Sequence, residues 1–580
     1  MADTKQIIEC VPNFSEGRNM NVIKQITDEI ESVAGIKLLN VDPGEATNRT
    51  VVTFVGSPEA VVEAAFLGAR KAAQVIDMRQ HHGAHPRMGA TDVLPLIPVS
   101  GITLEECALL ARKLAERMAR EAGIPCYAYE ASAFIPERKN LAVCRAGEYE
   151  ALAEKLTTPG KQPDFMPPTD EAMLKSQIPE SILRSGCTAV GARDFLIAVN
   201  YNLNTTSTRR ANAIAFDVRE KGRPMREGNL VTGNIIRDEH GNPVMKPGTL
   251  KCTKAIGWFI DEYGIAQVSM NMTNLNVTPL HVAFDEVCRC AQNRGIRVTG
   301  TEIVGLVPKK TLIDAGKYFL EKQQRSTGIP EEDIINIAIK SMGLDDLKPF
   351  NPREKVIEYL LEDAESSKGK KLVDLTVKAF AEETSRESPA PGGGTVAAYM
   401  GALGAALGTM VANLSAHKAG WDDRWDEFSG WAAMGQDMIK NLLRLVDEDT
   451  EAFNRIMAAF AMPKKTENEQ AERSKAIQEA TLYATQVPLR TMHAAAQAFI
   501  ICRAMAKEGN PASISDAGVG VLAARAAVIG AGLNVKINAA QLKDREQASR
   551  LVAEAEAVIR KANEAEKEIM AIVENKIDNQ

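Results

Sequence analysis

The sequence predicts an α/β half of two layered αβ subdomains, followed by an all-α helical-bundle domain. Up to about residue 345, short β-type runs alternate with amphipathic helical periods, which is typical of helices covering a sheet. Beyond about residue 372 only Ala-rich helical periods follow, as expected of a bundle. A charged, small-residue stretch at 362–371 separates the two patterns.

The individual elements follow from local pattern. Runs rich in β-branched and apolar residues predict strands at 36–41, 50–55, 195–199 and 267–272. Apolar residues at helical spacing predict helices at 58–77, 103–122, 207–221 and 278–294. A Gly-, Pro- and Asn-rich excursion at 222–251 predicts an exposed insertion, plausibly a hairpin. Because 580 residues exceed a single core, we expect domains at 1–180, 181–361 and 372–580, with 362–371 as a linker.

The charge, the cysteine content and the N-terminal segment argue against several classes of protein. The net charge of −7 argues against nucleic-acid binding, since no basic excess is available to neutralise phosphates. Nine scattered cysteines without a CxxC motif disfavour a disulfide framework and indicate a reducing cytoplasm. The polar N-terminal lead predicts no signal peptide.

One uncharged stretch, Val396–Leu414, is long enough to cross a bilayer. Ala and Gly dominate it, so it predicts a core helix in which Gly404 and Gly408 let another helix approach closely. We therefore expect no membrane span.

Asp449 occupies a position where an apolar residue belongs. It falls within the predicted buried stripe of a helix, formed by Leu442, Leu445, Val446, Ala452, Phe453 and Ile456. A carboxylate there is costly unless it is paired, hydrogen-bonded or used as a proton carrier. The structural alternative is an Asp that caps a neighbouring helix. Asp447, Glu448 and Glu451 project elsewhere and are expected to be solvated.

Residues 81–89 (HHGAHPRMG) carry three of the seven histidines within five positions. A metal site is one reading, but no Asp, Glu or Cys of matching spacing lies nearby as a further ligand. Pro86 favours an extended backbone at His85, which predicts a loop at a strand end. Histidine there suits general base work, and surface histidines without a task are the alternative.

Asp42 follows the strand at 36–41 and precedes Pro43-Gly44, so its carboxylate is expected at a sheet edge. A carboxylate facing a histidine orients the ring and raises its basicity. An Asx-turn is the structural alternative for Asp42.

Several longer motifs resemble a known family. Residues 9–17 (ECVPNFSEG), 47–50 (TNRT), 85–90 (HPRMGA) and 190–193 (VGAR) are similar to the formiminotransferase family. Residues 390–394 (APGGG) and 445–449 (LVDED), with 509–511 (GNP) and 515–516 (SD), resemble the helical domain of the formiminotransferase-cyclodeaminase family. The likeness covers nearly the whole chain in the family's domain order.

For the first half, the resemblance implies transfer of a formimidoyl group from N-formimidoyl-L-glutamate to N5 of tetrahydrofolate. The family's catalytic histidine falls on His85, with Asp42 as the matching candidate to orient it. Arg87 is a candidate to hold a substrate carboxylate through a bidentate pair. Ser185, Gly186 and Cys187 match the family's folate-contacting stretch.

For the second half, the resemblance implies ring closure to 5,10-methenyltetrahydrofolate with loss of ammonia. The family's catalytic aspartate falls on Asp449, and burial is expected to raise its pKa. The glycines at 392–394 (Gly392, Gly393 and Gly394), at a helix N-terminus, can offer backbone N–H groups to a carboxylate or carbonyl, although a turn plus a cap explains them equally well. Asp516, Asn534 and Asn538 are weaker polar candidates.

The resemblance further implies a cytoplasmic homo-oligomer of histidine degradation, with the helix around Gly404 as a possible subunit contact. Tetrahydrofolate is the expected co-substrate, with a polyglutamate tail that lysines near the linker (Lys368, Lys370 and Lys371) could tether, and no metal is expected. The alternatives are one inactive half, a transferase linked to 5-formyltetrahydrofolate, or a non-catalytic scaffold that self-associates.

Overall fold

The structure is a computed structural model that describes residues 6–45, 48–83, 86–169, 174, 176–228, 233–360, 371–388 and 390–579. It forms two compact units, Met1–Thr311 with Met342–Ala364, and Leu312–Ser341 with Glu365–Gln580. The segment 312–341, expected in the second αβ subdomain, is thus grouped with the helical unit. The predicted linker lies outside the described residues except for Lys371.

The strands belong to the first unit and form two larger sheets and a short ribbon. They are β1 (Ile7–Cys10), β2 (Asn13–Phe14), β3 (Lys37–Gly44), β4 (Arg49–Gly56), β5 (Thr91–Ser100), β6 (Cys126–Glu130), β7 (Thr188–Ala192), β8 (Ile197–Leu203), β9 (Arg223–Pro224), β10 (Met245–Lys246), β11 (Thr253–Ile260), β12 (Ile265–Met272) and β13 (Val298–Val304).

The α-helices of the first unit are α1 (Met20–Glu31), α2 (Pro58–Val75), α3 (Leu104–Ala122), α4 (Leu141–Arg145), α5 (Leu152–Thr157), α6 (Glu180–Ser185), α7 (Thr208–Val218), α8 (Leu280–Gln292) and α11 (Pro352–Lys355). The second unit contains most of α9 (Lys309–Lys322) and α10 (Glu331–Met342), then α12 (Val377–Thr384), α13 (Gly393–Ala416), α14 (Trp425–Ala461), α15 (Glu467–Glu508), α16 (Ile514–Ala539) and α17 (Arg545–Asp578). The four predicted strands and four predicted helices are all confirmed, with ends shifted by a few residues.

In the first sheet, β1 and β2 lie end to end. Both strands pair antiparallel with β4 on one side and with β5 on the other. β3 pairs with β4, while β7 and β6 extend the sheet from β5 in parallel. One face packs against α1, α2 and α3, because alternate strand residues contribute the apolar core: Ile8, Cys10, Val52, Phe54, Leu94 and Leu96.

The opposite face of this sheet, here called the polar face, carries the intervening side chains. Val51 points away from the core residues Val52 and Phe54, so its cross-strand partners Asp42 and Asn13 lie on the polar face. Arg49, two residues before Val51, lies there too. Glu9 shares this face and is buried.

The second sheet is antiparallel, in the order β11-β12-β8-β13, and α7 contacts β11 and β12. The predicted insertion at 222–251 contains the antiparallel ribbon of β9 and β10, which confirms hairpin-like pairing among its described residues.

The second unit is a helical bundle with an Ala-rich core. A Cβ on Gly404 would lie 2.7 Å from the carbonyl oxygen of Gly520 on α16, and one on Gly408 would lie 2.9 Å from Ile501 on α15. The predicted close helix approach is therefore confirmed. These glycines face helices of their own chain, and the expected subunit contact through this helix stays a prediction.

Two helices of the described chain, Gly393–Ala416 and Pro511–Ala539, are long and apolar enough to cross a membrane. In their most apolar windows, 61% and 50% of residues are buried within the protein. Core helices of a bundle share this length and composition.

The packing around Gly404 can be tested against Gly430, whose Cβ would meet nothing within 4 Å. Both glycines lie inside helices, so alanine gains similar helix propensity at each, up to about 1 kcal/mol. We expect Gly430→Ala to stabilise the helical unit, and Gly404→Ala to destabilise it by about 1–3 kcal/mol because the new methyl group meets backbone. Urea unfolding followed by circular dichroism measures both, and equal stabilisation would contradict the close packing.

Candidate functional site

His85 lies outside the described residues, but both chain segments that flank it are held by specific contacts. Asn48, in the turn between β3 and β4, donates from Nδ2 to the carbonyl oxygen of His82 (3.0 Å). The carbonyl oxygen of Asn48 lies 2.8 Å from Nε2 of His81. Since a carbonyl only accepts, Nε2 of His81 is the donor. The β3–β4 turn therefore fixes the segment before His85.

His81 and His82 differ in environment. His81 is buried, and burial lowers its pKa, which keeps the ring neutral. His82 is exposed and contributes its backbone carbonyl to the contact with Asn48. His81 thus helps to hold the loop against the β3–β4 turn through its hydrogen bond to Asn48.

Arg87 fixes the segment after His85. Its guanidinium forms a bidentate pair with Glu150, both distances being 2.8 Å, and lies 3.0 Å from Glu148. These hydrogen bonds, chiefly from Glu150, raise the pKa of Arg87. Arg87 was predicted to hold a carboxylate of the substrate, but in the structure Glu150 of the same chain occupies this bidentate pair. A cavity of about 260 Å³ adjoins this pair and is lined in part by His81, His82, Arg87, Tyr149 and Glu150.

Asp92 is a fully buried carboxylate at the end of the same loop. Its Oδ1 accepts from the backbone N–H of Met88 (2.9 Å). Its Oδ2 accepts from Arg49 (2.5 Å) and from Arg145 (2.6 Å). Asp92 therefore joins the loop to β4 and to the end of α4.

Ser185, Gly186 and Cys187 pack beneath the loop and are buried. Gly186 has φ +64°, and a Cβ there would lie 2.3 Å from the carbonyl oxygen of Met88. The N–H of Cys187 donates to that same oxygen (2.9 Å), and burial raises the pKa of its thiol to about 12. All three residues are buried beneath the loop, and their expected contact with folate stays a prediction.

Asp42 lies in β3, exposed and paired with Val51 of β4. Because Arg49 pairs with Gly44, Asp42 and Arg49 are diagonal neighbours on the polar face. The predicted contact between Asp42 and His85 falls outside the described residues.

In the second unit, the predicted stripe around Asp449 is confirmed, with Leu442, Leu445, Val446 and Ala452 buried. The Asp449 carboxylate accepts from Thr395 Oγ1 (2.9 Å) and from the Thr395 backbone N–H, at the N-terminus of α13. Burial raises its pKa, which the Thr395 hydrogen bonds oppose. The carboxylate thus caps a helix, and the expected rise of its pKa is confirmed, while its use as a proton carrier stays a prediction.

The Pro391–Gly394 segment meets this carboxylate directly. A Cβ on Gly394 would lie 2.3 Å from Asp449 Oδ1. A Cβ on Gly393 would lie 3.5 Å from Nδ2 of Asn534, which places Asn534 beside the turn. Asn538 instead donates to the carbonyl oxygen of Ala484 (2.8 Å). Asp516 lies in the first turn of α16, about 27 Å along the helix from Asn534.

The neighbours of Asp449 are not solvated as expected. Glu448 is 12% exposed and accepts from Tyr483 (2.6 Å), Arg490 (2.5 Å) and Arg444 (2.8 Å). Asp447 accepts from the backbone N–H of Leu372 (2.7 Å). The expectation was wrong because partners from distant helices cannot be read from one helix; it holds for Glu451, which is exposed.

Several residues of these sites were not singled out from the sequence. Asp92, Arg145, Glu148 and Glu150 carry no motif of their own, although Asn48 and Arg49 belong to the quoted TNRT segment. Thr395 directly follows the glycine run that was noticed. Within the described ranges, no three His, Cys, Asp or Glu side chains converge as metal ligands do.

Comparison with known proteins covers almost the whole chain. Residues 7–193 match the N-terminal subdomain of the formiminotransferase domain, 198–362 the formiminotransferase domain, and 376–557 the formiminotransferase-cyclodeaminase model. The formimidoyltransferase-cyclodeaminase of Rattus norvegicus is 41% identical over 93% of this chain and 93% of its own length. The chain belongs to the formimidoyltransferase-cyclodeaminase family.

Two further relatives resemble one half each. The glutamate formimidoyltransferase of Streptococcus pyogenes serotype M1 is 39% identical over 54% of this chain and 94% of its own length. The methenyltetrahydrofolate cyclohydrolase of Methylorubrum extorquens is 35% identical over 35% of this chain and 98% of its own length. Each of these two relatives thus matches part of this chain along nearly its own whole length.

The contact between Gly394 and Asp449 predicts a selective effect of one methyl group. Gly394→Ala is expected to displace the Asp449 carboxylate and reduce any activity of the helical unit at least tenfold, while the first unit is unaffected. Gly530→Ala is the control, because its Cβ would make only an ordinary 3.4 Å contact with Ala397. Separate assays of the two half-reactions measure the effect, and equal activities of the two variants would contradict it.

Glu9 predicts a pH dependence of stability. Burial raises its pKa from 4.5 to about 7, against the opposing charge of Arg193. The folded state therefore holds the proton longer than the unfolded state, so stability is full below about pH 4.5 and falls as pH rises through 7. We expect Glu9→Gln to remove this loss, worth ~3 kcal/mol between pH 5 and pH 8.

Hydrogen exchange of the β1 and β4 amides, corrected for intrinsic rates, measures that difference at the two pH values. Parallel pH dependence of wild type and Glu9→Gln would show that Glu9 is ionised in the folded state throughout.

Proposed function

We propose that the protein transfers the formimidoyl group of N-formimidoyl-L-glutamate to N5 of tetrahydrofolate and then cyclises the product to 5,10-methenyltetrahydrofolate with release of ammonia. The likeness to a formimidoyltransferase-cyclodeaminase and to a glutamate formimidoyltransferase supports this proposal. The observation that carries the second step is the half-buried carboxyl of Asp449, held at the N-terminus of α13 with a raised pKa.

In the first step, N5 attacks the formimidoyl carbon and must lose a proton, while the glutamate nitrogen leaves and must gain one. We assign this transfer to His85, with Asp42 orienting the ring. The anchored flanks support this role, because a loop tied down by Asn48, Arg87 and Asp92 can hold a base in one place.

In the second step, N10 attacks the formimidoyl carbon and ammonia leaves. Asp449 accepts the proton from N10 and delivers one to the departing nitrogen, so the carboxyl returns to its starting state. A carboxyl whose pKa is raised toward neutrality suits such reversible transfer. Neither step as proposed requires a metal ion.

The two assignments predict independent losses. His85→Ala is expected to reduce transfer by ~10²–10⁴-fold and leave cyclisation of supplied 5-formimidoyltetrahydrofolate intact. Asp449→Asn is expected to do the reverse, because the amide oxygen still accepts from Thr395 but cannot carry a proton. Methenyl absorbance and ammonia release, followed separately, measure the two steps.

The asparagine variant separates the two roles of Asp449. Full cyclisation activity in Asp449→Asn, with a loss only in Asp449→Ala, would make the carboxylate a helix cap alone. Absence of both activities in the wild-type protein would favour a non-catalytic scaffold, and absence of one would favour a chain with a single active half.

A second candidate for the helical unit is hydrolysis of 5,10-methenyltetrahydrofolate, favoured by the likeness to a methenyltetrahydrofolate cyclohydrolase along nearly that relative's entire length. Loss of methenyl absorbance without ammonia release would identify that activity.

We further propose a cytoplasmic homo-oligomer without a membrane span, acting in histidine breakdown on polyglutamylated tetrahydrofolate. Lys371 is the described member of the lysines expected to hold the tail, since Lys368 and Lys370 lie outside the described residues.

A further inference from the structure

Beside the histidine-rich loop, the described cationic side chains outnumber the one buried carboxylate that they contact, Asp92. Asp92 is fully buried, and a single oxygen of its carboxylate accepts from both Arg49 and Arg145. Its other oxygen is used by the N–H of Met88. One carboxylate therefore serves two guanidinium groups.

A third cation adds to this excess. Lys155 is buried, and its Nζ donates to the carbonyl oxygen of Cys144 (2.8 Å). Among the described residues, no carboxylate lies within ion-pair distance of Lys155, and none besides Asp92 pairs with Arg145. Buried positive charge of this kind is costly unless an anion compensates it.

The two arginines remain accessible despite this burial. The Arg49 side chain is 11% exposed and that of Arg145 is 15% exposed. The Nε of Arg145 is buried without a hydrogen-bond partner in the described structure. Arg145 thus has donor capacity that Asp92 does not use.

Their positions connect both arginines to the loop that bears His85. Arg49 follows Asn48, which holds His81 and His82, and neighbours Asp42 on the polar face. Arg145 directly precedes the turn whose Glu148 and Glu150 hold Arg87. The two chain segments that anchor the loop therefore each present an arginine to Asp92.

We propose that Arg49 and Arg145 form a subsite for one carboxylate of the formimidoyl donor, an inference that rests on the proposed transferase function. The donor carries two carboxylates, and guanidinium groups bind carboxylates with paired, directional hydrogen bonds. A bound carboxylate would supply the missing negative charge. The same contact would hold the donor beside the loop, where its formimidoyl carbon reacts.

This assignment differs from the sequence-based expectation for Arg87. Arg87 already faces two carboxylates of the protein, Glu148 and Glu150, so its charge is compensated. Arg145 shares the carboxylate of Asp92 with Arg49, which also neighbours the exposed Asp42. All three residues are arginines, so residue type does not distinguish them. We assign the subsite to the pair at Asp92 because fewer carboxylates of the protein compensate its charge.

The test compares donors that differ in one carboxylate. Wild type and Arg145→Gln are assayed with N-formimidoyl-L-glutamate and with its two monoamides, in which the α- or the side-chain carboxylate is a carboxamide. Loss of hydrogen bonds to a charged group predicts a KM for the parent donor about 10- to 100-fold higher in the variant. The KM for tetrahydrofolate is expected to change less than about twofold.

The decisive readout is the preference for carboxylate over carboxamide, expressed as a ratio of kcat/KM values. For one of the two monoamides, this preference should collapse at least tenfold in Arg145→Gln, because the variant no longer senses the group that was replaced. Arg145→Lys should restore part of it. A preference that is unchanged for both monoamides would overturn the proposal, since a purely structural arginine lowers all rates together.

Arg138→Gln is the matched control. Arg138 is also a buried arginine of the first unit, but it pairs one-to-one with Asp164 (2.5 Å). It should lose stability without altering the preference, and a similar collapse there would also overturn the subsite.

Calorimetric titration of wild type and Arg145→Gln with L-glutamate, the product of transfer, separates failure of the subsite from failure of the proposed function. Weaker binding in the variant supports the subsite even if the wild type transfers no formimidoyl group. Equal binding by the two proteins argues against it.

Discussion

A single buried carboxylate, Asp92, fixes the geometry around the histidine-rich loop. It accepts from a backbone N–H of the loop and from arginines of two other segments, so β4, β5 and the end of α4 meet at one group. Removing one partner of such a buried cluster typically costs about 3–5 kcal/mol, because the remaining charge is left uncompensated. The described part of the loop is therefore held by charged and hydrogen-bonded groups.

The half-buried acid of the helical unit, Asp449, has a different environment. Among the described residues no cation pairs with it, and its hydrogen bonds come from the hydroxyl and backbone N–H of Thr395. These neutral donors stabilise the ionised form less than an arginine would, so burial prevails and the pKa rises. Glu448, one residue earlier, pairs with two arginines, and its pKa is lowered. The pKa values of two adjacent carboxylates on one helix are thus shifted in opposite directions, because their partners differ.

The sequence was sufficient for features that depend on local periodicity. The alternation of short β-type runs with helical periods predicted the αβ architecture of the first half. The carboxylate at 449, in place of an apolar residue, marked a half-buried polar position before any partner was known. It was insufficient wherever a contact joins distant segments. The pairing of Arg87 with Glu150, and of Glu448 with Arg490, depends on turns and helix crossings that no spacing rule supplies. For the same reason, the grouping of 312–341 with the helical unit was not foreseen.

The three consecutive acids at 447–449 each contact a different part of the second unit: Asp447 the N–H of Leu372, Glu448 the side chains on α15, and Asp449 the start of α13. Successive residues of a helix diverge by about 100°. Inserting or deleting one residue earlier in α14 would rotate all three at once, so that two of the acids face a neighbour's partner and the third faces none of the three. The three contacts together therefore fix the length of this stretch of helix as well as its side chains.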